Sequence, residues 1–350
     1  MGLDKGVCGA ELRSLDRLKG NGRSPTTVRL DGLDLRMLKL LLAGNGVPPG
    51  VPADRRSFRS MAKDLGVDQA TVRSRMKRLQ EAGTLRGWYL GISPALTGES
   101  VVHAWLDVKP GTDRRRLVDE LVSVPGVERV CSYLGQRISL VLLFRKEKDL
   151  GLTLRRLERL AGSGRVFRAP GAPQGRSPKI SESDAAIILC LLEDPWKPYA
   201  VVAKELRFSS RTVKRRADRL FESGAIYVVP DLDLKTLRGI IAAEMVVTFK
   251  SDSSKTGAIG ALATRLQGET VFSQTSGLRA YFALAIPNVS MVEAIGTWAR
   301  QLVGVFSAEV QVLQEVDLAP GRYRSTRLLV GREEGRQSTS RRVPVKRPGV

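Results

Sequence analysis

An α+β fold assembled as two tandem units is what this 350-residue sequence predicts, on three observations. Residues 62–85 and 203–226 match at a constant shift of 141, with ten identities in 24 positions. After each matched stretch the apolar residues pass through segments of alternating and helical spacing in the order β, α, β, β, α, β. Finally, Gly126 and Gly135 in the first half, and Gly268 and Gly277 in the second, are each followed at equal distance by an arginine, Arg137 or Arg279, at a shift of 142. The duplicated unit thus covers roughly 31–167 and 181–320.

Each matched stretch reads as a short helix ending at Leu65 or Leu206, a three-residue polar break, and a longer basic helix closed by Gly83 or Gly224. Helix, tight turn and basic helix is the helix-turn-helix layout, whose second helix enters the major groove of DNA. At about 100° per residue, Val72, Met76 and Leu79 form one stripe and Val213, Ala217 and Leu220 the other, so these sides face a core. The opposite sides carry Ala70, Arg73, Ser74 and Lys77 in the first copy, and Arg211, Lys214, Arg215 and Asp218 in the second. The candidate DNA-binding set is Gln69, Ala70, Arg73, Ser74 and Lys77 with Ser210, Arg211, Lys214, Arg215 and Arg219. Asp68 and Ser209 suit the N-cap, where the positive helix end also favours a phosphate.

In chain order, residues 1–30 form an extension without assigned function. Residues 33–43 have the spacing of a first helix, 44–56 are a Gly/Pro loop, 58–65 and 69–82 are the second and third helices, and 85–93 have the character of a β-ribbon, or wing. The series LDLRMLKLL, then MAKDLGVDQATVRSRMKRLQEAGTLRGWYLGISPALTG, resembles the N-terminal half of the leucine-responsive, or Lrp/AsnC, transcription regulators. That resemblance implies a winged helix-turn-helix over 31–98 followed by a ferredoxin-like βαββαβ domain over 99–167. The second copy supplies the same two domains over 181–239 and 240–320, joined through a linker at 168–180. A basic tail, 321–350, ends the chain. The resemblance also implies dimerisation and small-molecule sensing. Here two units in one chain suggest an internal pseudo-dimer able to assemble further, with Gly126, Gly135, Gly268 and Gly277 as candidates for bordering an effector pocket. One departure counts against amino-acid sensing: where the family commonly has Asp three residues after the second glycine, this chain has Ile138 and Ala280.

The net charge of +21 points to an acidic polymer as partner, and its distribution identifies which parts carry that role. Residues 240–320 carry −2, whereas the groove helices carry +3 each and the tail +7. Double-stranded DNA is therefore the expected partner. Cys8, Cys131 and Cys190 lack metal or disulfide spacing, no apolar run reaches the length of a membrane span, and the start lacks a cleavable signal, which together suggest a cytoplasmic, nucleoid-associated protein. No catalytic residue, metal site or cofactor is expected. His103 is the single histidine, in a strand without a nucleophile motif beside it. Sirohaem decarboxylases resemble this family and pair the same two units but rely on histidines in the second domain, and in that region this chain has residues 129–143 and 271–284 without a histidine. RNA binding would want stacking aromatics, and residues 279–286 offer only Tyr281 and Phe282. A sequence-neutral chromatin protein is the remaining alternative, distinguished from a regulator by specificity ratio alone.

Overall fold

The computed structural model describes residues 28–42, 58–161, 166–170 and 180–318. The Gly/Pro loop, most of the linker and N-terminal extension, and the basic tail lie outside these residues.

The first helix-turn-helix is α1 (Gly32–Leu42), α2 (Phe58–Leu65) and α3 (Gln69–Glu81). Val72, Met76 and Leu79 on α3 are buried against Met37, Leu38 and Met61, as their spacing requires. Burying each such side chain stabilises by about 1.5–3 kcal/mol. After β2 (Leu85–Ile92) and the short α4 (Pro94–Thr97) comes the first βαββαβ unit: β3 (Ser100–Asp107), α5 (Arg114–Val122), β4 (Val127–Tyr133), β5 (Arg137–Phe144), α6 (Glu147–Ala161) and β6 (Val166–Pro170). The first unit therefore runs three residues into the stretch read as linker. The second half repeats the plan with α7 (Glu182–Glu193), α8 (Tyr199–Leu206), α9 (Ser210–Glu222) and β7 (Ile226–Leu232). A two-residue strand, β8 (Leu237–Arg238), leads into β9 (Ile241–Phe249), α10 (Asp252–Arg265), β10 (Thr270–Ser276), β11 (Arg279–Ile286), α11 (Val289–Gln301) and β12 (Val305–Leu318). Among the described residues no helix is long and apolar enough to cross a membrane.

The halves are joined through strands. The wing differs from the local ribbon the sequence suggested: β2 and β7 pair antiparallel with each other, so each copy contributes one strand to a shared two-stranded sheet. Leu90 and Leu96 of the first half thereby complete the core beneath α7–α9. Within each βαββαβ unit the strand order is that of a ferredoxin-like sheet, and β12 pairs with β9 along its first part and with β4 along its second. One eight-stranded sheet results, in the order β10-β11-β9-β12-β4-β5-β3-β6. A further strand, β1 (Val28–Arg29), runs parallel to β8 and ties the N-terminal side to the second half.

Strand alternation assigns the two faces of this sheet. Val102, Ala104 and Leu106 on β3 pack with Leu117 and Leu121 of α5, and Ala243, Met245 and Val247 on β9 do the same in the second half. The intervening residues point to the other face, where the halves meet across a small cluster of Trp105, Tyr281 and Val246.

Candidate nucleic-acid interface

Both groove helices begin on a side-chain cap. The Thr71 amide donates to Asp68 Oδ1 at 2.6 Å, and the Thr212 amide donates to Ser209 Oγ at 3.1 Å. The Thr71 amide, with smaller contributions from its hydroxyl and neighbouring amides, holds the Asp68 carboxyl below its ordinary pKa. The two helix starts are therefore electrostatically unlike: that of α3 already carries a carboxylate, whereas that of α9 carries a neutral hydroxyl.

Gln69, Ala70, Arg73, Ser74 and Lys77 are all exposed on α3, as are Ser210, Arg211, Lys214, Arg215 and Arg219 on α9. Arg73 lies over the Phe58 ring, with its guanidinium carbon 5.9 Å from the centroid. Lys214 donates to Asp218 at 2.6 Å, one helical turn on, while Lys77 approaches Glu81 at 3.5 Å.

Four arginines of these helices, Arg75, Arg78, Arg216 and Arg219, reach buried aspartates. Asp34 on α1 is fully buried; its carboxylate accepts from Arg75 at 3.1 Å, from Arg78 and from the Asp31 amide at 3.0 Å. Asp184 on α7 is 1% exposed and pairs with Arg216 at 2.9 Å and Arg219 at 2.7 Å. Burial raises the Asp184 pKa, but the Ser181 amide and hydroxyl and the two arginines outweigh it and leave the carboxyl below its usual range. Each buried aspartate thus clamps two arginines three residues apart on the groove helix and fixes which side faces out. Arg219, one of the ten candidates, is paired with Asp184. The sequence signal was present, an aspartate in the first turn of each first helix, but the loop after α1 is longer than that after α7 and hides the match at a constant shift.

The four glycines do not converge. Gly126 precedes β4 and Gly135 follows it, some seven strand residues apart, and β10 with Gly268 and Gly277 is separated from β4 by three strands. Gly126, Gly135 and Gly277 have φ of 90°, 98° and 52°; Gly268 does not take a positive φ. Beside Gly135, the Leu134 amide donates to Val312 O of β12 at 2.8 Å. An open depression there of about 450 Å³ is lined by Leu134, Gln136, Arg137, Asp107 and residues 310–312.

No protein-family model matches the chain. It is 36% identical over 101 residues to the HTH-type transcriptional regulator Ptr1 of Methanocaldococcus jannaschii, a match covering 27% of this chain and 62% of that protein. It is 30% identical over 102 residues to an uncharacterised HTH-type transcriptional regulator of Pyrococcus abyssi, over 29% of this chain and 58% of the relative. The chain thus spans about three fifths of the length of these relatives. Among solved structures, the siroheme decarboxylase NirDL aligns over 87% of this chain and 100% of its own, at 12% identity and a TM-score of 0.47. AsnC of E. coli aligns over 43% of this chain and 97% of its own, at 21% identity and a TM-score of 0.30.

Proposed function

Taking the chain as a helix-turn-helix transcription regulator of the Lrp/AsnC type with its two-domain unit present twice, we propose that it binds double-stranded DNA sequence-specifically as an internal pseudo-dimer. α3 and α9 enter major grooves. Arg73, Arg211 and Arg215 read base edges, Lys77 and Lys214 hold register on phosphates, and Gln69, Ala70, Ser74 and Ser210 line the contact. The observation that carries this reading is the paired clamp: Asp34 and Asp184 draw two arginines inward on each helix and leave the opposite basic face exposed. The shared β2–β7 ribbon supports treating the two helices as one reading head. In this reading the protein works on the nucleoid in the cytoplasm, without catalysis or a cofactor, and can assemble further through copies of itself. The depression beside Gly135 is where an effector would act on the junction between halves.

Selection of bound sequences from random duplexes tests the proposal. Wild-type protein is expected to enrich a two-part motif with unlike halves, since Ala70, Arg73, Ser74 and Lys77 in one copy correspond to Arg211, Lys214, Arg215 and Asp218 in the other. Arg73→Ala is expected to relax one half of the motif and Arg211→Ala the other, each at about 1–3 kcal/mol of discrimination. If about six to ten phosphates are neutralised, affinity falls roughly 10³- to 10⁵-fold between about 50 and 200 mM salt. Unselective binding that tracks net charge alone would replace a regulator with a sequence-neutral coat. Failure to bind duplex DNA would end both readings.

A further inference from the structure

The two groove helices are joined to the rest of the molecule in different ways. The segment that follows the second wing strand packs under the first helix-turn-helix, where Leu232, Leu237 and Ile240 lie against the core that buries the inner side of α3. The segment after the first wing strand does the same for α9, through Leu96. In both places a backbone hydrogen bond closes the exit of the groove helix. The Asp233 amide donates to Thr84 O at 2.9 Å, and the Ser93 amide donates to Ala225 O at 2.9 Å. That match sets Thr84 against Ala225, Lys235 against Ala95 and Thr236 against Leu96.

All three positions are polar beside α3 and apolar beside α9. Thr84 and Thr236 are buried, and their hydroxyls lie 2.8 Å apart. Thr236 donates onward to Asp233 O at 2.8 Å, which leaves the Thr84 hydroxyl as the donor between the two threonines. Ala225 and Leu96 are buried too, but contact between them has no preferred direction, whereas a buried hydroxyl must keep its partner in hydrogen-bonding geometry. Next to Thr236, Lys235 donates to Glu315 Oε1 on β12 at 2.6 Å, and Arg115 on α5 reaches both Glu315 and Asp317 at 3.3 Å. The exit of α3 is therefore tied through two threonines and an ion pair to β12, the strand that pairs with both halves of the sheet. The matching side chains beside α9 cannot form this tie.

We propose that Thr84, Thr236, Lys235 and Glu315 are positioning residues for α3. They carry the placement of β12 to the end of that helix, so that base reading by α3, and not by α9, depends on the joint between the two halves. None of the four belongs to the groove-facing set, and each acts through the helix rather than on DNA. The inference rests on the DNA-binding reading.

The test measures fluorescence anisotropy of the full-length protein with the duplex that the wild type selects and with two altered duplexes. One is changed in the half assigned to α3 by Arg73→Ala, the other in the half assigned to α9 by Arg211→Ala. Discrimination is the ratio of Kd values for altered and selected duplex on one sample, so a smaller folded fraction cancels. Thr84→Val is expected to lower discrimination at the α3 half about fivefold, the equivalent of one buried hydrogen bond. Glu315→Gln is expected to lower it about twofold, because Lys235 is 60% exposed and its pair is screened. The two changes together should lose no more than about fivefold, since they cut one route. Thr84→Ser keeps the hydroxyl and should read as the wild type does, and every variant should keep full discrimination at the α9 half. Unchanged discrimination in both Thr84→Val and Glu315→Gln, an equal fall at both halves, or a Thr84→Ser that behaves as Thr84→Val would overturn the inference and leave the DNA-binding reading standing. A wild type that binds selected and altered duplexes alike would overturn that reading and the inference with it.

Discussion

In the first copy the turn before the groove helix holds Gly66 and the cap is Asp68; in the second the same places hold Arg207 and Ser209. Along the helices Ala70, Arg73, Ser74 and Lys77 correspond to Arg211, Lys214, Arg215 and Asp218, so none of these four outward positions is identical. Inward, Arg75 and Arg78 correspond to Arg216 and Arg219, and each pair meets a buried aspartate. The two copies keep the device that orients the helix and vary what the helix shows. Under the DNA-binding proposal, this pattern predicts two half-sites of different sequence.

The largest effect should come from cutting the clamp. Removing one partner of a buried ion pair costs about 3–5 kcal/mol, because the other charge is left without compensation. Arg78 and Arg219 are 44% and 59% exposed, so water relieves part of that loss and the lower end, about 3 kcal/mol, is expected. Asp34→Ala and Asp184→Ala should therefore lower the urea midpoint by similar amounts, each relaxing only its own half of the bound motif. A loss confined to one copy would show that the clamp matters in one half alone.

Next come His103 and Glu244, equivalent positions on β3 and β9 whose pKa values move in opposite directions. His103 is depressed to about 4, chiefly by burial, so its contribution to stability is complete above the ordinary value of 6.5 and is lost as pH falls toward 4. Glu244 is raised by burial above 4.5, so its contribution is complete below that value and is lost as pH rises through its folded-state pKa. A full proton difference is worth about 1.4 kcal/mol per pH unit, and solvent access to the half-buried ring should reduce this to roughly half. Denaturation midpoints measured from pH 7 to 4 should fall in the wild type and flatten in His103→Gln. Glu244→Gln should steepen the fall. Parallel profiles for all three would mean that neither group is perturbed on folding.

The shared wing is asymmetric along its length. At one end Gly91 faces Tyr227, and a Cβ placed on Gly91 would lie 2.2 Å from ring carbon Cε2. At the other the ladder is bulged between Leu85 and Gly87, and Arg86 pairs with Asp231 at 2.9 Å. Gly91→Ala should cost about 1 kcal/mol, the low end for overpacking, because the half-buried ring can swing outward. Combining it with Tyr227→Ala should recover most of that loss in a double-mutant cycle. Simple additivity would mean that the two strands do not meet in solution.

Much of this design was legible from spacing. The helix expected at 58–65 has those bounds, and the one expected at 69–82 ends one residue earlier, at Glu81. The start of α10 at Asp252 was not legible, because its first turns are Ser, Lys, Thr and Gly after a Ser251 capping box, a composition that also reads as loop. Partner choice between halves was not legible. Alternation states which face of β2 is apolar, but β7 is supplied from far along the chain, and periodicity carries no information on which strand lies alongside. The inner faces were hidden for a related reason: His103, Arg129 and Glu244 look like ordinary outward polar positions until the two halves of the sheet meet around Trp105 and Tyr281.

The smallest effect lies in the turn before the groove helix, where the copies reach one geometry with different residues. In the first, the Val67 amide donates to Ala62 O at 3.0 Å across Gly66, at φ 67°; in the second, the Phe208 amide donates to Ala203 O at 2.9 Å across Arg207, at φ 55°. A Cβ on Gly66 would meet nothing within 4 Å, so Gly66→Ala sets a left-handed backbone penalty of about 1–2 kcal/mol against about 0.5–1 kcal/mol from the stiffer unfolded chain, a net loss of about 0.5–1 kcal/mol. Arg207→Gly relieves a strain of that size but loosens the unfolded chain by about 0.5–1 kcal/mol, so the net change should be below roughly 0.5 kcal/mol. Urea midpoints of the two single variants measure the difference directly. A neutral Gly66→Ala would mean that the first turn does not hold its left-handed residue in solution, and a strongly stabilising Arg207→Gly would mean that the second copy tolerates strain the first avoids.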